Sequence, residues 1–598
     1  MRSWQTDRRN PVGLVLLTGL LGWGALQTGP ILIGGGLQLV PATLALVAFL
    51  GALRLTGEML FFLADLADWL GARRASGKEG TARWGRLQDL KKELAKTPSG
   101  PFWGVLAGAP GRGLFIAFDS NAYVIGPSGA GKGHTAVVPM ILSIRAAKII
   151  TDFKPELVVI CQRALEAMGQ SVIVLNPFGL YTDRIGETAS LNPLDVLADD
   201  LLRAGGLRDF FEDAGELAMQ LYPEPAQAKG DDQFWRAGTR KLIAFALVLE
   251  CLINGHEATL SDAARLIEDR QKLEDNLRLI LGIDRDGQPL AEGPLALESA
   301  DWAERHDPEE LREFLAAFRA RAGGLLKLMS AGESKTFDSF AEGAEQALSI
   351  YAFGRLSAAL GRSSFDFDAI KDGKTILNIF IVGDASRTEA TGKFFGLMQF
   401  YMQLKLKRHA RKDVPVYLIN DEAANYAVYG LVPLMTWARS FGIRLIQVVQ
   451  NFAAYEDRHG KHAAQVLNSE AEIKLFLPGQ RAESTIKTIV ELLGRQSVMV
   501  ARLSADKAGA GLREDMSESA RPLMTEDELR RSPDGILIVR QHPPFLQRPV
   551  SYAAIHPWRG WVDPNPHHGD KPFLRKVALK LKLKLKRKRQ QQKRRRKP

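Results

Sequence analysis

Cysteine is nearly absent from this sequence: Cys161 and Cys251 are the only two in 598 residues. Two thiols cannot form the disulfide framework of a small secreted protein, and their spacing matches no zinc-binding pattern. Most of the chain is therefore expected to fold in a reducing compartment. The histidine pair of a helical zinc protease is missing too, because His256-Glu257 is followed by no second histidine at the required spacing.

Charge is absent from residues 10–53, a run of 44 residues rich in Leu, Val and Gly. A membrane-spanning helix needs about 20 apolar residues, so this length suits two crossings with the segment TGPILIGGG as the turn. Arg9 and Arg54 flank the run, which favours both ends facing the cytoplasm. A cleaved signal peptide followed by a buried segment is the alternative. We expect residues 1–70 to form a transmembrane helical hairpin anchor.

Acidic residues are absent from Lys571 to Pro598, where 15 residues are Lys or Arg. The rest of the chain has 64 basic and 68 acidic residues, so the net charge of +11 comes from this terminal segment. Self-repulsion predicts that residues 563–598 form a basic tail that is disordered when free. The cationic side chains of the tail can bind DNA phosphates or anionic lipid. A tail that is solvated and binds neither is the third alternative. Since no aromatic residue follows Phe573, DNA binding would be sequence-independent.

Between the two ends, apolar strand-like runs alternate with helical segments. The runs are AYVIG, AKIITDF, SVIVLNPF, KTILNIFIV, VPVYLIND, IRLIQVVQ and EIKLFLPG. Fully apolar strands that alternate with helices predict an α/β fold whose mostly parallel sheet is covered on both faces. The alternation stops at 192–363, where Ala, Leu, Glu and Arg recur with helical spacing. This segment is expected to be an all-α domain inserted between two strands.

A glycine-rich loop, GPSGAGKGHT, follows the strand-like run AYVIG and precedes a helical segment. The pattern G-x-x-x-x-G-K in this position is typical of a phosphate-binding loop, where backbone N–H groups and a helix N-terminus face the phosphates of ATP. Lys132 is expected to reach the β- and γ-phosphates. The candidate ATP-binding residues are Gly126, Pro127, Ser128, Gly129, Ala130, Gly131, Lys132, Gly133, His134 and Thr135. The two nucleotide-binding parts are then 71–191 and 364–562.

The residue after the loop lysine is Gly133, where a hydroxyl usually coordinates Mg2+. Thr135 is one candidate for the missing ligand, although helical geometry turns its side chain away from that position. Water is the other candidate, and it is favoured because Mg2+ tolerates a largely aqueous shell.

A second group of candidate residues follows the strand-like run VPVYLIN. Asp421 is expected to hold Mg2+, and Glu422 to orient or deprotonate the attacking water. Gln450 ends a neighbouring run and is interpreted as a sensor of the γ-phosphate, with a simple loop glutamine as the alternative. Arg439 and Arg444 flank that run, and either can act as an arginine finger across a subunit boundary or form a local surface pair.

The motifs and their order resemble those of the type IV coupling proteins, the TraG-like membrane ATPases of conjugation and type IV secretion. The matching segments are GTARWGRLQDL (80–90), GPSGAGKGHTAVVPMIL (126–142), TDFKPEL (151–157), QFWRAGTRKLIAFAL (233–247), YLINDEAANYA (417–427) and WARSFGIRLIQVVQN (437–451). Phe153 and Pro155 depart from the small residues typical of the family in the third segment.

The resemblance implies a RecA-like domain plus an all-α domain, acting as a homo-hexameric ring in the bacterial inner membrane with most of the chain cytoplasmic. It also implies ATP and Mg2+ as cofactors, and DNA, a relaxase or relaxosome and secretion-channel proteins as partners. Two alternatives stay open: a DNA translocase of the FtsK/HerA kind, and a non-catalytic receptor that only docks cargo at a channel.

Overall fold

The structure is a computed structural model that describes residues 77–96, 100–224, 230–330, 334–505 and 512–567. The helical hairpin expected at residues 1–70 and residues 568–598 of the expected tail lie outside these ranges. Residues 563–567, which were expected to belong to the tail, are described, and Asn565 among them is buried. Within the described ranges, no helix combines the length and the apolar character that a membrane crossing requires.

Thirteen strands are present in the described part of the chain. They are β1 (Phe102–Leu106), β2 (Ala109–Phe115), β3 (Asn121–Ile125), β4 (Ala147–Asp152), β5 (Ser171–Leu175), β6 (Leu377–Val382), β7 (Val416–Asn420), β8 (Ile443–Val449), β9 (Ala471–Phe476), β10 (Arg495–Ala505), β11 (Leu512–Pro522), β12 (Gly535–Val539) and β13 (Phe545–Arg548).

Eleven of these strands form one sheet in the order β2-β1-β13-β12-β9-β3-β8-β7-β4-β6-β5. The seven strands from β9 to β5 are parallel, and the four strands from β2 to β12 extend the sheet in antiparallel pairs. Every residue of β3, β4, β6 and β7 is buried, as expected for strands covered on both faces. The predicted α/β class with a mostly parallel sheet is therefore confirmed.

Helices fall into three groups along the chain. Before the insertion lie α1 (Lys91–Leu94), α2 (Val138–Ser143), α3 (Leu157–Ala167) and α4 (Thr182–Ile185). Between β5 and β6 lie α5 (Asp195–Leu202), α6 (Leu207–Leu221), α7 (Asp231–Asn254), α8 (Leu260–Glu268), α9 (Arg270–Leu281), α10 (Pro308–Met329), α11 (Ser334–Ala352) and α12 (Arg355–Ala359). After β6 lie α13 (Thr388–Arg408), α14 (Leu431–Trp437), α15 (Phe452–His459), α16 (Lys461–Glu470), α17 (Glu483–Leu493), α18 (Glu526–Arg531) and α19 (Trp558–Trp561).

In its described residues, the insertion between β5 and β6 contains helices and loops but no strand, apart from one isolated bridge between Ile283 and Pro289. Its helices pack closely where small residues face large ones. On α7, a Cβ atom at Gly238 would lie 2.2 Å from ring carbons of Phe340 on α11. The glycine therefore allows the two helices to approach, and this contact accounts for a helix-disfavoured residue in the middle of α7.

We expect Gly238→Val to destabilise the protein by about 1–3 kcal/mol, because the added methyl groups must displace Phe340 from its packed position. The matched control is Gly324→Ala on α10, since a Cβ atom there meets no atom within 4 Å. Gly324→Ala should stabilise by about 0.5–1 kcal/mol through helix propensity. Thermal unfolding followed by circular dichroism measures both, and equal midpoints for the two variants would contradict the packing argument.

A second, smaller unit includes the described residues 77–83, 493–505 and 512–524. Its strands β10 and β11 pair antiparallel along their full length, from Arg495 opposite Pro522 to Ala505 opposite Leu512. An isolated bridge from Thr81 to Gln496 attaches the preceding segment to this hairpin. The sequence analysis did not identify this two-stranded unit.

Candidate active site

The glycine-rich loop lies at the carboxyl edge of the parallel sheet. Strand β3 is paired with β8 on one side and β9 on the other, which fixes where the loop begins. Gly126 N donates to Val449 O at 3.1 Å, and Leu477 N donates to Ile125 O at 2.8 Å. The loop therefore starts beside the last residues of both neighbouring strands, at the edge where open α/β sheets bind ligands.

The loop backbone takes a conformation that requires glycine. Gly129 and Gly131 have φ angles of +85° and +81°, in the left-handed region that other residues rarely adopt. A Cβ atom at Gly129 would meet nothing within 4 Å, so the loop is open at that point. A π-helical turn over Gly133–Val137 then leads into α2. The first N–H groups of such a helix have no intrahelical acceptor and can bind an anion.

Lys132 lies between the loop and the end of β7. Its Nζ donates to Gly126 O at 3.0 Å and lies 3.7 Å from Glu422 Oε1. The Lys132 side chain is only 9% exposed, so its charge is held in a largely desolvated position. The structure thus brings together the two sequence motifs that the alternation of strands and helices had predicted to meet.

The predicted acidic pair follows β7, and Gln450 follows the adjacent strand β8. Glu422 adopts a left-handed backbone conformation, with φ of 50°, directly after the strand. Its Oε2 accepts a hydrogen bond from Gln450 Nε2 at 3.3 Å. This contact places Gln450 beside Glu422 in the site.

Asp421 is nine-tenths buried, and no described residue donates a hydrogen bond to its carboxylate. Burial raises the pKa of Asp421 well above its usual range, the charges of Glu422 and Asp152 raise it further, and Lys132 opposes them. A buried carboxylate with no donor is costly when ionised, and a nearby cation relieves that cost.

The other loop candidates have local partners. Thr135 Oγ1 donates to Gly131 O at 3.0 Å, within the turn that contains it. This bond turns the Thr135 hydroxyl toward the loop backbone at Gly131. The His134 ring stacks on the Tyr552 ring with centroids 5.0 Å apart and planes 1° apart.

The two candidate arginines lie at the opposite edge of the sheet. Arg444 is the second residue of β8, so it sits at the amino end of a strand whose carboxyl end adjoins the loop. Its guanidinium donates to Tyr417 Oη at 2.6 Å and pairs with Asp119 at 3.3 Å. Arg439 is exposed, just before β8. Neither arginine reaches the site of its own chain.

Three further residues near the loop were not predicted from the sequence as site residues. Asp152 ends β4 and accepts backbone hydrogen bonds from Glu156 N at 3.1 Å and Val158 N at 2.8 Å. Burial raises the pKa of Asp152 to about 7 despite these bonds. Glu156 Oε2 accepts a hydrogen bond from Asn565 Nδ2 at 2.7 Å. Only the segment TDFKPEL signalled this region, and nothing in the sequence pointed to Asn565.

These residues fit a nucleotide and a divalent cation. The loop offers an open backbone cradle and an ammonium group for phosphates, while Asp421 offers a buried carboxylate without a donor. Carboxylate oxygens with water and phosphate oxygens are the ligands that Mg2+ prefers. Among the described residues, no group of three or more His, Cys, Asp and Glu side chains forms a metal site alone. A cation there would therefore share its shell with phosphates or water.

Comparisons with known proteins agree with this geometry. A family model described as Type IV secretory system Conjugative DNA transfer matches residues 87–556. Protein VirD4 of Agrobacterium fabrum is 21% identical over 487 residues, covering 79% of this chain and 66% of that protein, just under two thirds of its length. The plasmid coupling protein TrwB in complex with ADP and Mg2+ is 15% identical, with a TM-score of 0.53 over 80% of this chain and 96% of TrwB. TrwB in complex with the ATP analogue ADPNP also gives 15% identity and 0.53, over 80% and 95%. The structural similarity shows a shared fold.

Proposed function

The chain belongs to the type IV secretory system conjugative DNA transfer family, and from that membership we propose that it is a coupling ATPase that drives DNA toward a secretion channel. The observation that carries this proposal is the meeting of two motifs at one sheet edge. Lys132 of the glycine-rich loop lies 3.7 Å from Glu422, which follows a strand far along the chain. A phosphate-binding loop facing an acidic pair is the arrangement that phosphoryl transfer to water requires.

Each residue of the site has a role in this proposal. The loop from Gly126 to Thr135 binds the phosphates of ATP, and Lys132 neutralises the β- and γ-phosphates. Asp421 holds Mg2+, which neutralises phosphate charge when bound. Glu422 orients the attacking water and accepts its proton, and Gln450 holds the Glu422 carboxylate through its amide. TrwB, whose fold this chain shares, binds ADP with Mg2+ and ADPNP.

The proposed ATPase acts as a homo-hexameric ring. Arg444 is already paired with Asp119 and Tyr417, so a finger from a neighbouring subunit is better supplied by the exposed Arg439. The uncharged residues 10–53 anchor the ring in the bacterial inner membrane, with the bulk of each chain in the cytoplasm. The partners are DNA, a relaxosome and channel proteins, and the all-α insertion and the basic tail are the surfaces offered to cargo.

Phosphate release by the full-length chain in detergent tests this proposal. We expect single- and double-stranded DNA of unrelated sequence to stimulate release, because contacts to the DNA backbone carry no sequence information. The stimulation should fall steeply as salt rises, since cationic side chains release counterions on binding phosphates. A chain ending at residue 567 is the matched comparison for the tail and should require more DNA for the same stimulation. A folded, ATP-binding protein with no DNA-stimulated release would instead be a non-catalytic receptor.

A further inference from the structure

The space beside Gly133 is occupied by a carboxylate from another segment. A Cβ atom at Gly133 would lie 3.0 Å from Glu156 Oε1 and 3.8 Å from its Cδ. A serine or threonine at this position would therefore place its side chain where the Glu156 carboxylate now lies. An oxygen of Glu156 thus lies beside the position from which a hydroxyl-bearing side chain at residue 133 would project.

One hydrogen bond holds the Glu156 carboxylate, and a second one holds its backbone. Its Oε2 accepts the 2.7 Å hydrogen bond from Asn565, a residue only 6% exposed. Its backbone N donates to Asp152 Oδ1 at 3.1 Å, which fixes the start of α3. Although Glu156 is the N-cap residue of α3, its side chain makes no capping hydrogen bond. Helix capping therefore does not explain why the carboxylate points toward the loop.

A second, independent observation is the buried acidic residue that follows β7. Asp421 is only 9% exposed, and no described residue donates a hydrogen bond to its carboxylate. It immediately precedes Glu422, whose Oε1 lies 3.7 Å from Nζ of Lys132, the residue before Gly133. Asp152, which accepts a hydrogen bond from Glu156 N at 3.1 Å, and Glu422, which lies 3.7 Å from the Lys132 ammonium, add two more acidic groups. Acidic groups in such excess over one ammonium favour a bound divalent cation.

We propose that Glu156 supplies the Mg2+ ligand that a hydroxyl at residue 133 would otherwise supply, and that it would hold the ion together with Asp421. This inference rests on the proposed function, since the metal is expected to enter with a nucleotide. Mg2+ is usually held by one or two carboxylates together with substrate phosphates and several waters, and Asp421 and Glu156 meet that requirement. Asn565 is a positioning residue, because it acts on the metal only through Glu156.

The test is the Mg2+ dependence of ADP affinity in the full-length chain in detergent, measured with a fluorescent ADP. Glu156→Gln keeps the shape and the acceptor for Asn565 but removes the charge. We expect the Mg2+ concentration for half-maximal enhancement of affinity to rise about tenfold or more, with affinity in EDTA not weakened. The control is Glu166→Gln on the exposed face of α3, which should leave the Mg2+ dependence unchanged.

A second pair of variants makes the test independent of folding defects. Glu156→Ala should lose the Mg2+ enhancement, and adding Gly133→Ser to that variant should restore it, because the shortened residue 156 leaves room for a serine hydroxyl. An unchanged Mg2+ dependence in Glu156→Gln, or no restoration by Gly133→Ser, would overturn the inference while leaving nucleotide binding intact. A wild-type protein that binds no ADP at any Mg2+ concentration would instead remove the proposed function and this inference with it.

Discussion

Lys132→Ala should abolish detectable ATP turnover and DNA transfer while leaving the protein folded and inserted in the membrane. Lys132 is the ammonium group that bridges the loop and the acidic pair, with contacts of 3.0 Å to Gly126 O and 3.7 Å to Glu422 Oε1. Removing one preorganised charge from a water-poor site costs about 10²–10³ in rate, and the loss is larger when ground-state binding also depends on that charge.

Lys132→Ala should lower both ATP affinity and ATP turnover, and the two losses can be measured separately. Alanine removes a cation from the phosphates and also leaves the largely buried Glu422 without its ion pair, so the site becomes more negative. ATP binding should therefore weaken together with turnover. Fluorescent ATP titration and phosphate release measure the two losses, and thermal unfolding verifies that the variant is folded.

Lys154→Ala is the matched control for Lys132→Ala. Lys154 is exposed, lies in the segment TDFKPEL next to the site, and uses its backbone carbonyl rather than its side chain to contact His567. Its replacement should leave nucleotide binding nearly unchanged. Wild-type phosphate release by Lys132→Ala, with Lys154→Ala equally active, would show that the loop does not bind the phosphates of a hydrolysed nucleotide.

The central sheet could be predicted because the pattern that indicates each strand lies within that strand's own residues. Fully apolar runs such as those of β4 and β7 fit the centre of a parallel sheet, and glycines at 129 and 131 fit a loop that needs positive φ angles. The carboxyl ends of parallel strands share one edge of a sheet. The loop after β3 and the acidic pair after β7 therefore lie at the same edge, which brings Lys132 near Glu422. The same rule, applied to Arg444 at the amino end of β8, would have placed it away from the nucleotide.

The contacts that complete the site could not be predicted in this way. Glu156 and Asn565 are 409 positions apart, and no period or motif relates them. The four antiparallel strands at one end of the sheet were also missed, and β1 and β2 include glycines that weaken the strand pattern. Chain reversal and register at that edge depend on tertiary packing rather than on local sequence.

Glu422→Gln should separate binding from chemistry. Glutamine keeps the length of the side chain and can still accept a hydrogen bond from Gln450, but it cannot take a proton from water. Loss of a general base lowers the rate by about 10²–10⁴, so phosphate release should become very slow. ATP affinity should be retained or increased, because a negative charge near the γ-phosphate disappears and Lys132 no longer pairs with a carboxylate.

This outcome distinguishes a hydrolytic site from a structural ion pair, and single-turnover phosphate release beside ADPNP titration measures it. If Lys132 and Glu422 served only to join the loop to β7, their replacements would lower stability alike and would leave the ratio of turnover to binding unchanged. If Glu422 activates water, turnover falls in both variants but ATP stays bound only in Glu422→Gln. The control, Glu389→Gln, removes a carboxylate whose exposed fraction is 84% and should change neither quantity. A Glu422→Gln protein that hydrolyses ATP at the wild-type rate would assign the base to another residue, because glutamine has no basic oxygen at neutral pH.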